Sequence, residues 1–140
     1  MFLEYREQDL KKITAIALAV LFLDQVIKFV VVRNIFFEIN IYKNYNALFG
    51  LPIDFNLVFV LFVALVFAYY FILQKEAELP IGSSASLGLI FGGIVGNLTD
   101  RIFYGYIIDY LNFFNLFVFN IADLAICFGV LLLSWKVLGK

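Results

Sequence analysis

Apolar residues in this chain fall into four long runs, and polar residues sit mostly between the runs or at isolated points inside them. The runs cover about Ile13 to Val32, Phe55 to Leu73, Ser84 to Tyr104 and Phe117 to Val137. A helix of about 20 residues crosses the roughly 30 Å hydrocarbon layer of a bilayer. Four such lengths predict an all-α membrane protein with four transmembrane helices. Ala17 and Ala19 give the A-x-A spacing of a signal-peptide cleavage site, but they fall midway in the first run with no polar region between. A first transmembrane helix fits that segment better.

Between the first two runs the period changes. In FFEINIYK, Phe37, Ile39 and Ile41 alternate with Glu38, Asn40 and Tyr42, the two-residue period of a strand. NYNALFG follows, with turn-prone asparagines and Gly50. A small β element at about residues 34–54, between helices one and two, is expected to rest on the membrane surface. No soluble domain, low-complexity tract or internal repeat breaks the pattern, so residues 1–140 read as one integral membrane domain.

Composition agrees with the pattern, and charge orients it. The chain is 64% hydrophobic and 15% charged, with a mean hydropathy of +0.99; a soluble domain is roughly 45–50% apolar. Arg6, Lys11 and Lys12 precede the first span, Lys75 lies between the second and third, and Lys136 and Lys140 end the chain. The other side offers Arg33 and Lys43 in its loops, besides Arg101 near a helix end. The positive-inside rule places both termini in the cytoplasm, so segments 33–54 and 104–117 face outward. A net charge of -1 without a basic run gives no footprint for nucleic acid. One cysteine, Cys127, and no histidine leave nothing from which to build a transition-metal site or a Ser-His-Asp triad.

The polar residues inside the apolar runs carry the candidate chemistry. Asp24 and Lys28 are four residues apart and share a helix face, which suits an ion pair that orients the helix; intramembrane charges are also functional candidates. Gly92, Gly93 and Gly96 have the spacing of tight helix packing. Asn97, Asp100 and Arg101 follow within about one turn, placed for hydrogen bonding near a helix end. Asp109 follows the third span beyond Gly105, and Asp123 opens the fourth. The intervening Asn112 and Asn115 favour a turn that lets the chain leave the membrane surface and return. The two carboxylates then share a depth near the outer interface. Spacing leaves two readings open: independent interfacial acids, or a close pair sharing one proton, as in aspartic proteases.

Four stretches of the chain resemble the signal peptidase II family, the bacterial lipoprotein signal peptidases. DQVIK (Asp24 to Lys28) is similar to the family's D-Q-x-x-K. NYNALFG (Asn44 to Gly50) resembles N-x-G-x-x-F-[GS]. GNLTDRIFYGYIIDY (Gly96 to Tyr110) matches G-N-x-x-D-R-x-x-x-G-x-[VI]-x-D-[FY], and FNIAD (Phe119 to Asp123) matches F-N-x-A-D. The resemblance implies that Asp109 and Asp123 are a catalytic dyad. It implies that Asp24, Lys28, Asn44, Asn97, Asp100, Arg101, Asn120 and Ala122 support it. It further implies an aspartic endopeptidase of the bacterial inner membrane, without metal or cofactor. Its substrate would be a diacylglyceryl-modified prolipoprotein, cut just before the lipidated cysteine. A monomer surrounded by membrane lipid is expected, since the site needs only one chain. Two features depart from the family: Asn46 replaces the usual glycine, and the link from Asp109 to Asp123 is short. Asparagine tolerates left-handed backbone better than other non-glycine residues; the short link bears on substrate gating. The competing reading from the residues is a four-helix proton- or cation-coupled transporter, with an inactive assembly subunit as a third.

Overall fold

The computed structural model describes residues 2–35, 40–45 and 83–138. The expected second span at 55–73, Asn46 and most of the expected β segment lie outside the described residues. The first helix, α1 (Phe2–Val32), begins well before the expected span. Its early turns are water-compatible, with a Lys11–Glu7 pair of 2.7 Å between residues four apart. The stretch Glu7–Val32 within it is long and apolar enough to cross a membrane. Asn34, at φ 49°, ends the helix: its N–H bonds to Val31 O (3.1 Å) and that of Ile35 to Val30 O (3.2 Å). This is a left-handed cap with asparagine in the usual glycine position.

The helix α2 (Ser83–Tyr104) matches the expected third span. Gly105 terminates it at φ +79°, donating its N–H to Arg101 O (3.0 Å). Three short strands follow, β2 (Ile107–Asp109), β3 (Leu111–Phe113) and β4 (Phe117–Phe119), before helix α3 (Ile121–Leu138). The strand β1 (Tyr42–Asn44) starts where the segment of strand periodicity ends and takes in Asn44, expected in a turn. It pairs antiparallel with β2, placing Tyr42 opposite Asp109 and Asn44 opposite Ile107. β3 and β4 form an antiparallel hairpin, joined to the end of β2 by Tyr110 N–H to Phe119 O (3.1 Å). The described part is thus mostly helical with two small sheets, rather than helical with β structure only between the first two spans. Nor does the fourth helix begin at Phe117, as hydrophobicity suggested: residues 117–119 are strand, and Asn120 caps the helix.

Small residues set how closely the helices meet. A Cβ added at Gly88 would lie 2.6 Å from Ile16 Cβ, at Gly92 2.6 Å from Val20 Cβ, and at Gly96 2.7 Å from Asp24 Oδ2. Contacts advance by four residues on both helices together, so α1 and α2 run parallel. Gly93 instead faces α3, where a Cβ would collide with Ala122 O, and Gly129 of α3 faces Ile90. Here contacts run in opposite directions, making α3 antiparallel to α2. Helix–helix association in lipid depends on close packing of this kind rather than on exclusion of water. The sheet rests on the far end of α1 through Val31, Ile108 and Tyr110, flanked by Ile27, Ile41, Tyr106 and Leu111. The C-terminal ends of α1 and α2, the start of α3 and the β1–β2 sheet therefore converge on one end of the bundle.

Candidate active site

That end holds a concentration of buried polar side chains. Asp24, Lys28, Asn44, Asn97, Asp100, Asp109, Asn120 and Asp123 are all buried, although they come from five different elements or their edges. Buried polar groups are costly unless paired, and here the pairing is extensive.

The start of α3 is organised by a reciprocal cap. Asn120 precedes the first helical residue; its Oδ1 accepts from Asp123 N–H (3.0 Å), and Asp123 Oδ2 accepts from Asn120 N–H (3.3 Å). This is a capping box with an Asn-x-x-Asp sequence. The N–H of Ala122 goes to Asp24 Oδ1 (3.1 Å), so an α1 carboxylate satisfies a second N–H at the positive end of the α3 dipole. FNIAD is thus a helix start as well as a motif, and Ala122 is fully buried because both neighbouring helices close on it.

Asp109 ends β2 and is held from two sides. Asn44, diagonally across the β1–β2 ladder, donates to its Oδ2 (2.8 Å), and Asn120 donates to its Oδ1 (2.7 Å). Asn120 Nδ2 also lies 3.4 Å from Ile108 O and 3.1 Å from Asn97 Oδ1. Asn97 donates in turn to Asp123 Oδ1 (2.8 Å). Asp109 and Asp123 are therefore linked twice, by Asn120 alone and by Asn120 through Asn97. Asp109 is out at the sheet, beyond the helix ends. Burial, then the negative charge of Asp123, pushes its carboxyl up from 3.8 to about 7, against the pull of its asparagine donors and Lys28.

A charged layer lies beneath the pair. The Lys28 ammonium meets Asp24 Oδ2 (2.7 Å), Asp100 Oδ2 (2.7 Å) and Asn97 Oδ1 (3.1 Å), one acceptor for each proton. Asp100 Oδ2 also accepts the Ile108 N–H (3.1 Å), which fixes the strand that carries Asp109. The charges of Asp109 and Asp123 act electrostatically on the Arg101 guanidinium.

Every candidate picked from the sequence is thus brought to one end of the molecule. One residue was passed over. Gln25 Nε2 lies 3.2 Å from Asp24 Oδ2, 3.1 Å from Asp100 Oδ1 and 3.2 Å from Gly96 O, tying α1 to α2. Its signal was available: an uncharged amide inside an apolar helix needs a partner as much as a charge does.

Comparison with known proteins fits this arrangement. Residues 16–139 match the family model for signal peptidase (SPase) II. The lipoprotein signal peptidase of Moorella thermoacetica is 36% identical over 88% of this chain and 90% of its own length. That of Halalkalibacterium halodurans is 32% identical over 88% of this chain and 89% of its own. A bacterial membrane enzyme solved by the in meso method at 1.9 Å superposes with a TM-score of 0.68, at 26% identity over 89% of this chain and 90% of that one. Family, relatives and structural neighbour favour a membrane peptidase over a transporter. The chain belongs to the signal peptidase II family.

Proposed function

We propose that this chain is an aspartic endopeptidase in which Asp109 and Asp123 form the catalytic dyad. Its substrate is a diacylglyceryl-modified prolipoprotein, cut just before the lipidated cysteine. The observation that carries this reading is the double bridge through Asn120 and Asn97, which holds two buried carboxylates in one hydrogen-bonded unit. Two such groups titrate as a pair and share a proton. The protonated member of the pair polarises the scissile carbonyl. The ionised member takes a proton from the attacking water. The resulting diol collapses as a proton passes to the leaving nitrogen. Both aspartates are buried, so water and peptide enter by displacing the groups that cover them.

The other polar residues position this unit. Asn44, Asn97 and Asn120 orient the carboxylates, and Asp24, Lys28, Asp100 and Gln25 brace the helices below. Arg101 balances the charge of the dyad, and Ala122 lets α3 approach α1. Residues 1–140 act as a single monomeric unit in the bacterial inner membrane, without nucleic acid as a partner. Four spans are supported by the parallel course of α1 and α2, the arrangement expected when one further crossing lies between them. Both termini lie in the cytoplasm, with the dyad near the outer face and the diacylglyceryl chains in the surrounding lipid.

The test is cleavage of a diacylglyceryl-modified precursor by purified protein, followed by mass spectrometry. Asp109→Asn and Asp123→Asn should each abolish the released signal peptide while eluting and melting as folded protein. Full cleavage by either variant would overturn the dyad.

A further inference from the structure

The segment from Tyr110 to Ala122, which separates the two aspartates, contains no charged residue. Most of it is the β3–β4 hairpin, and the tip of that hairpin is apolar and exposed: Phe113 51%, Phe114 82%, Leu116 70% and Phe117 47%. The Phe113 and Phe114 rings pack edge to face with centroids 4.8 Å apart. Phe114 and Asn115 both have positive φ, 50° and 58°, and Leu116 N–H closes the turn on Phe113 O (2.9 Å). Such turns favour glycine, asparagine or aspartate at both central positions. An aromatic ring is kept here at a conformational cost, and on the part of the turn that projects furthest.

The two asparagines that flank the tip pair with each other. Asn112 Nδ2 donates to Asn115 Oδ1 (2.7 Å), and Asn112 Oδ1 accepts from Asn115 N–H (2.8 Å). A segment entering lipid must satisfy its backbone internally, and the N–H groups of Asn115 and Leu116 are bonded within the turn. The C-terminal end of α2 also exposes large apolar side chains, Ile102, Phe103 and Tyr104. The base of the hairpin is anchored to the site by Tyr110 N–H to Phe119 O and by Asn120 Nδ2 to Asp109.

We propose that the β3–β4 hairpin is a membrane wedge, whose Phe113, Phe114, Leu116 and Phe117 tip inserts into the outer leaflet at the boundary of headgroups and acyl chains. Its occupant is bulk phospholipid. By gripping the leaflet at the chain between the two aspartates, the wedge sets the depth of the dyad relative to the lipid. The inference uses the membrane orientation of the proposed function but not its chemistry, so its test does not depend on peptidase activity.

The chain has one tryptophan, Trp135. In a Trp135→Phe background, Phe114→Trp makes the tip the sole emitter, and Leu116→Trp supplies a second, independent reporter. Each variant is reconstituted into phosphatidylcholine–phosphatidylglycerol vesicles. Lipids brominated near the carbonyl end of their acyl chains should remove most of the emission, and aqueous acrylamide should quench far less than it quenches free tryptophan. Quenching by acrylamide equal to that of free tryptophan, with no effect of bromolipid, would place the tip in water and overturn the wedge. Protection from both quenchers would show that protein covers the tip, and would overturn it equally.

Discussion

A single ammonium, that of Lys28, serves the two buried carboxylates of Asp24 and Asp100 and the amide oxygen of Asn97. Deleting one partner of a buried ionic cluster leaves uncompensated charge, with a typical cost of about 3–5 kcal/mol. Lys28→Ala should therefore lose most of its folded yield. Adding Asp24→Asn and Asp100→Asn should recover part of the loss, as thermal unfolding in detergent would show. Recovery no better than additive would mean that the three groups are not one unit. The Asp24–Lys28 partnership was legible in the sequence because residues four apart on a helix must meet. The particular partners of Asn97 and Gln25 were not, because an amide finds them only once the helices have packed. Asp109 supplies a prediction in pH. Its carboxyl is raised from 3.8 to about 7, first by burial and then by Asp123. Between those values the native protein keeps a proton that the unfolded chain has lost. Stability therefore falls as pH rises through the window and levels off above it. Asp109→Asn should flatten this slope in unfolding curves taken across the same pH range. In the wild type, kcat/KM for a lipidated precursor should fall as pH passes about 7, when the dyad loses its shared proton. A rate that kept rising beyond that point would mean that the shared proton has no part in the reaction.

At the scale of elements, the turn from strand to helix at Asn120 does two jobs that can be separated. Its Oδ1 caps α3 through Asp123 N–H (3.0 Å), while its Nδ2 reaches Asp109 Oδ1 (2.7 Å). Serine is a good N-cap but too short to do both. Asn120→Ala should cost about 1 kcal/mol or more of stability, the usual value of a lost cap, and most of the activity. Asn120→Ser should restore the melting temperature towards that of the wild type without restoring turnover. If serine restored both, the bond to Asp109 would have no part in the reaction. The same junction shows what hydrophobicity can and cannot predict. From Leu116 to Ala122 only Asn120 is polar, so a fourth span appeared to begin at Phe117, whereas the chain forms a hairpin first and a helix only after Asn120. Apolar strands and apolar helices look alike at that length; the cap was the distinguishing signal. The segment of strand periodicity leads into β1, but the partner of that strand, β2, is more than sixty residues away. That pairing depends on the helices that bring the two segments together, and no local pattern encodes it.

Among the described residues, α1 and α2 run parallel and α3 returns against them, which gathers Asp24, Asp100, Asp109 and Asp123 at one end and leaves Lys11, Lys12 and Lys136 at the other. Lys11 and Lys12 lie in the early turns of α1, and Lys136 lies in the last turn of α3. Asn44, Asp109 and Asp123 share the opposite end with Lys43, which stacks on the Tyr106 ring at 5.2 Å. In the proposed orientation the bias of basic residues puts the first end in the cytoplasm and the proposed dyad at the outer face. This orientation also matters for the proposed reaction, which takes a precursor from the outer side. Replacing the sole cysteine by Cys127→Ser provides a clean background for labelling. Single cysteines at Lys12→Cys, Lys43→Cys and Lys136→Cys then mark the two ends. A membrane-impermeant maleimide should label Lys43→Cys in intact cells, and the other two only after the cells are permeabilised. Labelling of Lys12→Cys or Lys136→Cys in intact cells would reverse the orientation. The dyad would then face the cytoplasm, where a translocated precursor could not reach it, and the proposed reaction would fail on geometry alone.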